Sequence, residues 1–254
     1  MIFETHAHYD DEAFNEDREE LLKQLCENRI SHAVNISADL KSCKNTIALT
    51  KQYPFIFGSL GIHPSETGSL TEEDMLWIGQ ESAADKIVAI GEIGLDYYWE
   101  EPEHDIQKKW FIRQLELARE KRLPVIIHSR DAARDTLTIM KAQHAEEIGG
   151  VIHCFSYGTE MAEEYLKMGF YIGIGGVLTF QNAKKLKEVV KMLPMDRIVL
   201  ETDSPYLAPV PNRGKRNSSL NIPYIIEEIG KIKEVSTEEI ERITMENAKK
   251  LYRL

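Results

Sequence analysis

Short apolar runs rich in β-branched residues alternate with amphipathic, charge-rich stretches along the whole chain. That rhythm predicts strand–helix units around a parallel sheet. The apolar runs fall at about residues 2–7 (IFETHA), 33–37 (AVNIS), 55–61 (FIFGSLG), 87–92 (IVAIGE), 124–128 (PVIIH), 150–154 (GVIHC), 170–175 (FYIGIG) and 198–202 (IVLET). Between them, segments such as DIQKKWFIRQLELAREKR repeat apolar residues at helical spacing, with Ile106, Trp110 and Leu117 on one stripe and a basic last turn. Two further helices close the chain; the second starts at Ser236, with Glu239 at capping-box spacing, and ends near Leu251. Eight strand–helix units in 254 residues match a TIM-type (β/α)8 barrel with extra C-terminal helices, forming one domain over residues 1–254. A doubly wound open sheet is the competing architecture. It expects a glycine-rich phosphate loop after the first strand, and His6-Ala7-His8 fills that turn instead.

Composition narrows the class. At 43% hydrophobic and 29% charged residues, the chain is too apolar for disorder. Cys26, Cys43 and Cys154 are scattered and form no CxxC pair, so neither a disulfide framework nor a zinc knuckle is expected. The N-terminus is acidic where a signal peptide needs a basic start, and no apolar run is long enough to span a membrane. A cytoplasmic location is the expectation. The formal charge of -11 argues against a bulk electrostatic grip on nucleic acid, but leaves room for a local basic rim.

In such barrels the chemistry sits at the C-terminal ends of the strands. Those ends carry His6 and His8, His63, Glu92, His128, His153 and Asp203. His32, His104 and His144 lie elsewhere and read as solvated bystanders. Residues two apart in a strand share a face, which aligns Glu4, His6 and His8, and likewise Glu201 with Asp203. Four histidines and two carboxylates converging on one mouth form a desolvated polar cluster that calls for neutralisation by metal. Imidazole with carboxylate suits zinc, manganese, iron or nickel better than calcium, and six ligands with one shareable carboxylate fit two ions. Glu201, deeper in its strand, reads as a contact that orients a ligand, and Cys154 as a small core residue. His63 either closes a turn before Pro64 or touches substrate.

These residues fall in motifs that identify the chain as resembling TatD-family metal-dependent hydrolases, within the wider amidohydrolase-like barrels. The motifs are Glu4-Thr5-His6-Ala7-His8, Gly61-Ile62-His63-Pro64, Gly91-Glu92-Ile93-Gly94-Leu95-Asp96-Tyr97, His128-Ser129-Arg130, His153-Cys154-Phe155 and Glu201-Thr202-Asp203-Ser204-Pro205-Tyr206-Leu207. The resemblance implies His6, His8 and Asp203 on one metal, His128 and His153 on a second, and Glu92 bridging both. It also implies a deoxyribonuclease that cleaves DNA phosphodiester bonds exonucleolytically and uses two divalent ions. Mg²⁺ or Mn²⁺ are the expected activators, and a histidine-rich site binds Zn²⁺ more tightly.

On that reading Asp203 orients and deprotonates the attacking water, while His63 and Arg130 hold phosphates. Arg213, Lys215 and Arg216 either form a basic rim or an ordinary solvated loop. Tyr97, Tyr98 and Trp99 either stack a base or form a lid. Two departures stand out: the resembled family usually has Asp where Glu4 stands, and continues with Glu-Pro where Ser218-Ser219 stand. The rival function is a small-molecule amide, lactone or ester hydrolase on the same scaffold, since fold alone does not separate the two.

Overall fold

The computed structural model describes residues 1–254. Eight parallel strands pair in chain order: β1 (Ile2–Ala7), β2 (Ile30–Ile36), β3 (Ile56–Leu60), β4 (Ile87–Asp96), β5 (Val125–Arg130), β6 (Gly150–Ile152), β7 (Tyr171–Ile174) and β8 (Ile198–Leu200). The helices that follow them are α1 (Arg18–Glu27), α2 (Leu40–Gln52), α3 (Glu72–Glu81), α4 (His104–Lys121), α5 (Ala133–Ala142), α6 (Thr159–Lys167), α7 (Lys184–Met192) and α8 (Ile222–Lys233), with α9 (Thr237–Tyr252) at the end. A parallel bridge between Ala7 and Ser204 brings the chain after β8 back to β1 and closes the sheet. The expected eight-stranded α/β barrel is the observed fold.

Two apolar layers hold it. The strand faces turned outward pack on the helices in a large cluster that includes Leu22, Ile56, Phe111, Phe170 and Ile226. A second cluster joins Phe3, Val34, Val88, Ile126, Val151 and Val199, one residue from each of six strands, to Ala248, Leu251 and Tyr252 of α9. The last turn of α9 therefore stoppers the barrel. Tyr252 donates its hydroxyl to Thr5 O, and Arg253 reaches the carbonyls of Arg122 and Ile148, just ahead of β5 and β6. Ser236 caps α9 by accepting from Glu239 N, as its spacing predicted.

The strand boundaries differ from expectation in one way that matters. β4 does not stop at Glu92 but runs to Asp96, because its pairing with β5 continues through Gly94↔His128, Leu95↔Ser129 and Asp96↔Arg130. The register shifts between Ile90 and Ile93, and such an irregularity re-aims the side chain it carries, here Glu92. Gly94 has φ 146°, and a Cβ there would lie 1.9 Å from His128 O, so only glycine lets the two backbones meet. β8 conversely ends at Leu200, leaving Glu201, Thr202 and Asp203 beyond the ladder.

Asn247 of α9 donates to both Met195 O and Ile198 O at 2.8 Å, pinning the start of β8 from a fully buried position. Asn247→Ala orphans two buried carbonyls and is expected to cost about 2 kcal/mol or more of unfolding free energy. Urea denaturation checks this, and an unchanged midpoint would contradict the anchoring role.

Candidate metal centre

Each side of the centre is built by a different local device. On β1, whose pairing with β2 is irregular between Glu4 and Ala7, His6 brings its Nε2 to the cluster, and His8 does the same just past the strand end. The His8 ring is oriented by its Nδ1–H, which donates to Ile36 O at 2.9 Å and leaves Nε2 facing the cluster. Asp203 arrives by the barrel closure: its N–H donates to His6 O, and His8 N–H donates to Ser204 O. Asp203 lies beyond the end of β8 at φ 56°, a left-handed conformation that is uncommon without glycine, and like Glu201 it faces His6. Turn geometry, not strand parity, aims its carboxylate.

The donor atoms form two groups that share Glu92. In the first, His6 Nε2 lies 3.3 Å from His8 Nε2 and 3.6 Å from Asp203 Oδ1, and His8 Nε2 lies 3.5 Å from that oxygen. Glu92 Oε2 completes it at 3.4 Å from His6 Nε2 and 3.8 Å from His8 Nε2. A tetrahedral cation with ligand bonds of about 2.0–2.2 Å needs ligands roughly 3.3–3.6 Å apart, so this cage fits one. In the second group Glu92 Oε1 lies 2.7 Å from His128 Nδ1 and 2.6 Å from His153 Nε2, with the two ring nitrogens 3.2 Å apart. Those short contacts are hydrogen bonds to the carboxylate, so a cation entering there displaces protons from imidazoles.

Electrostatics agree with this assignment. Burial works to raise the Glu92 carboxyl, but His153, His6 and His128 around it hold it well below the usual carboxylate range. Burial opposes charge on His8, yet its bond to Asp203 lifts it to about 9; Asp96 and Glu92 likewise lift His128 to about 9. His6 is pushed down to about 4 by burial and the neighbouring His153. Protonated His8 and His128 thus lie against ionised Asp203, Asp96 and Glu92 in a nearly dry space, a setting that a divalent cation enters by replacing protons.

Two further carboxylates support the ligands, and of these only Asp96 carried no role in the sequence. Asp96, brought alongside by the long β4, accepts from His128 Nε2 at 3.2 Å and turns Nδ1 toward Glu92. Glu4 is fully buried and accepts four hydrogen bonds, from His6 N, Thr202 N, Thr202 Oγ1 and Ser219 Oγ at 2.6–3.0 Å. Burial lifts this carboxyl to about 7, and its hydrogen bonds pull the other way. The two departures from the family pattern therefore meet in space: the longer Glu4 side chain reaches Ser219. Ser219 in turn is held by Tyr9, whose hydroxyl lies 2.5 Å from Ser219 Oγ.

Other expected contacts divide. His63 lines the centre with Nε2 3.9 Å from Glu92 Oε1; its Nδ1 accepts from Ser65 N, so Nε2 carries the proton. Burial and His128 push His63 down to about 3, which keeps it a neutral donor. It thus both caps the turn and faces the centre. Glu201 lies beneath His153, as expected of a supporting carboxylate, with Oε1 accepting from Cys154 N at 2.5 Å. Cys154 is half-buried at φ 44°, not in the core, because the chain turns there directly after β6. Arg130 is exposed and stacks its guanidinium 3.8 Å from the Tyr98 ring centre, with Trp99 edge-on to Tyr98 at 4.8 Å.

Arg216 does not contribute to a free rim: it is paired with Asp17 and the Ala13 carbonyl. Tyr97 is also committed, donating to Asp135 and stacking on His104 at 3.6 Å. The loop that carries Arg213, Lys215 and Arg216 is pinned by buried Asn217, which donates to Thr202 O and Tyr206 O. His32 is no solvated bystander, since it stacks between Phe3 and Phe57, whereas His144 is exposed. No helix is long and apolar enough to cross a membrane.

A cation that binds only the folded centre must stabilise it. Dialysis against EDTA is expected to lower Tm, and added divalent cation to restore it, with a gain that grows with free cation concentration. A Tm indifferent to Mg²⁺, Mn²⁺ and Zn²⁺ alike would contradict a cation centre.

Comparison with known proteins places this geometry in a family. A family model described as TatD related DNase matches residues 3–253. The chain is 46% identical over 254 residues to YabD of Bacillus subtilis, described as an uncharacterized metal-dependent hydrolase, with all of both chains covered. It is 33% identical over 258 residues to YcfH of Escherichia coli, similarly described, covering 100% of this chain and 96% of that one. The crystal structure of YJJV, a TatD homologue of Escherichia coli, superposes with a TM-score of 0.94 at 27% identity, covering 100% of this chain and 98% of that one. These residues are the candidate metal centre of a metal-dependent hydrolase, and this chain belongs to the TatD family.

Proposed function

We propose that this protein is a deoxyribonuclease that hydrolyses DNA phosphodiester bonds, from the ends, with two divalent cations. The observation that carries the two-cation reading is Glu92, whose two oxygens each face a separate histidine group. His6, His8 and Asp203 would hold one cation, His128 and His153 the other, and Glu92 both. The cations supply Lewis acidity and neutralise charge on the phosphoryl group. Mg²⁺ or Mn²⁺ would serve as activators, while this nitrogen-rich donor set would hold Zn²⁺ more tightly.

The chain's own residues do the rest. The Asp203 carboxylate orients the attacking water and accepts its proton as the water oxygen bonds to phosphorus and the leaving oxygen departs. His63, a neutral Nε2–H donor facing the centre, holds a non-reacting phosphoryl oxygen. Arg130 holds a neighbouring phosphate. Tyr98 and Trp99, each more than half exposed, offer faces to an unpaired base. With a net charge of -11, the protein would grip DNA only at such local contacts, Arg213 and Lys215 included. The description of the matching family model as a DNase supports phosphodiesters over other bonds.

The test is nucleotide release from end-labelled single- and double-stranded DNA by metal-stripped protein resupplied with Mg²⁺, Mn²⁺ or Zn²⁺. Asp203→Asn is expected to lower kcat by about 10²–10⁴-fold, the range for loss of a general base. Arg130→Ala is expected to raise KM with kcat largely kept, the signature of lost binding common to ground and transition states. Absence of cleavage with every cation, beside turnover of an amide, lactone or carboxylic ester, would overturn the reading in favour of a small-molecule hydrolase.

A further inference from the structure

Beneath the cluster, three polar atoms are buried without any protein partner: His6 Nδ1, His153 Nδ1 and Glu201 Oε2. The side chains that carry them are almost fully enclosed, at 1%, 5% and 1% exposure. A buried polar atom left unpaired is costly, so three together need an explanation. The His6 and His153 rings lie parallel, 8° apart with centroids 3.9 Å apart, and both turn Nε2 toward Glu92. A donor atom from each of His6, His153 and Glu201 lies within 4.8 Å of the other two.

The chemistry of the rings determines what these atoms require. A neutral imidazole that gives its Nε2 lone pair to a cation carries its proton on Nδ1. Two N–H donors then point into one dry space, and the acceptor there is Glu201. A direct bond is too long, with His153 Nδ1 3.9 Å from Glu201 Oε1. That oxygen is already engaged with Cys154 N, while Oε2 is free. Gly173 of β7 makes room for this carboxylate: a Cβ at that position would lie 2.3 Å from Glu201 Oε2. A third cation does not suit the site, because protons occupy both Nδ1 lone pairs once Nε2 is a ligand. A single water does suit it, accepting from two N–H groups and donating to a carboxylate, a normal complement for a buried water.

We propose that one ordered water lies in the floor of the metal centre, bonded to His6 Nδ1–H, His153 Nδ1–H and Glu201, and that Glu201 is the positioning residue for both cation sites through it. The proposal rests on His6 and His153 being cation ligands and does not depend on the substrate being DNA. His6 belongs to one donor group and His153 to the other, so one carboxylate fixes the tautomer and tilt of a ring in each. Filling one site orders the water and aligns the ring that serves the second.

Glu201→Gln keeps the shape, removes the charge and halves the acceptor capacity. Competition against a chromophoric chelator for Zn²⁺ and Mn²⁺ is expected to show both sites weakened by about 10–100-fold, the usual effect of losing such a supporting group. The metal-free Tm is expected to stay level or rise, since a buried carboxylate is relieved. Affinity unchanged, weakened at one site only, or lost together with the metal-free Tm would overturn the proposal, the last by showing a merely structural role. Independently, diffraction from the metal-loaded wild-type protein should reveal a water within hydrogen-bond distance of both Nδ1 atoms and Glu201. A direct His153–Glu201 bond with no density between would overturn it. Neither readout involves DNA, so failure of the nuclease reading would register separately.

Discussion

One buried carboxylate organises this protein. Glu92 is nearly sealed from solvent, yet it is held ionised because imidazoles from β1, β5 and β6 crowd both of its oxygens. A charge there without those partners would be prohibitively costly, and the partners without the charge would repel one another. Such a cluster tolerates only a few states, protonated and hydrogen-bonded or loaded with cations. The second replaces protons by metal without altering the scaffold.

The barrel supplies the rigidity that this cluster needs. Glu92 is aimed by the register shift in β4, and the pairing beyond it, permitted by Gly94, carries Asp96 to the far nitrogen of His128. Closure of the barrel does the same for Asp203, because the bonds that join the chain after β8 to β1 run between Asp203, Ser204, His6 and His8. Fold closure and site assembly are the same set of hydrogen bonds. Glu4 ties that seam to Ser219, so the long loop after β8 is anchored to the centre rather than lying loose.

Much of this was readable in the chain because strand alternation is a local signal. The apolar runs marked eight strands, and histidines and acids at their ends marked the face where they converge. What escaped depends on contacts distant in sequence. The extension of β4 follows from pairing with β5, so Asp96 looked like one more loop acid. Parity aligned Glu201 with Asp203 and both face His6, but β8 ends at Leu200 and a turn, not a strand, carries them there. Arg216 read as part of a basic rim or a solvated loop, and Tyr97 as a base-stacking or lid residue, whereas Asp17 and Asp135 claim them. Cys154 read as core because its neighbours are apolar in sequence, while the turn after β6 puts it on the wall of the centre. No pattern in the chain marks the two unpartnered Nδ1 atoms near Glu201, which come together only once the ends of β1, β6 and β8 converge at one mouth of the barrel.

Anomalous X-ray diffraction from Mn²⁺- or Zn²⁺-loaded crystals puts the proposed sharing of Glu92 between two cations to the test. Two peaks about 3.5–4 Å apart are predicted, the separation usual for paired hydrolytic ions. One should lie among His6, His8 and Asp203, the other beside His128 and His153, with a Glu92 oxygen on each. A single peak at saturating metal, or peaks that leave Glu92 uncoordinated, would contradict it.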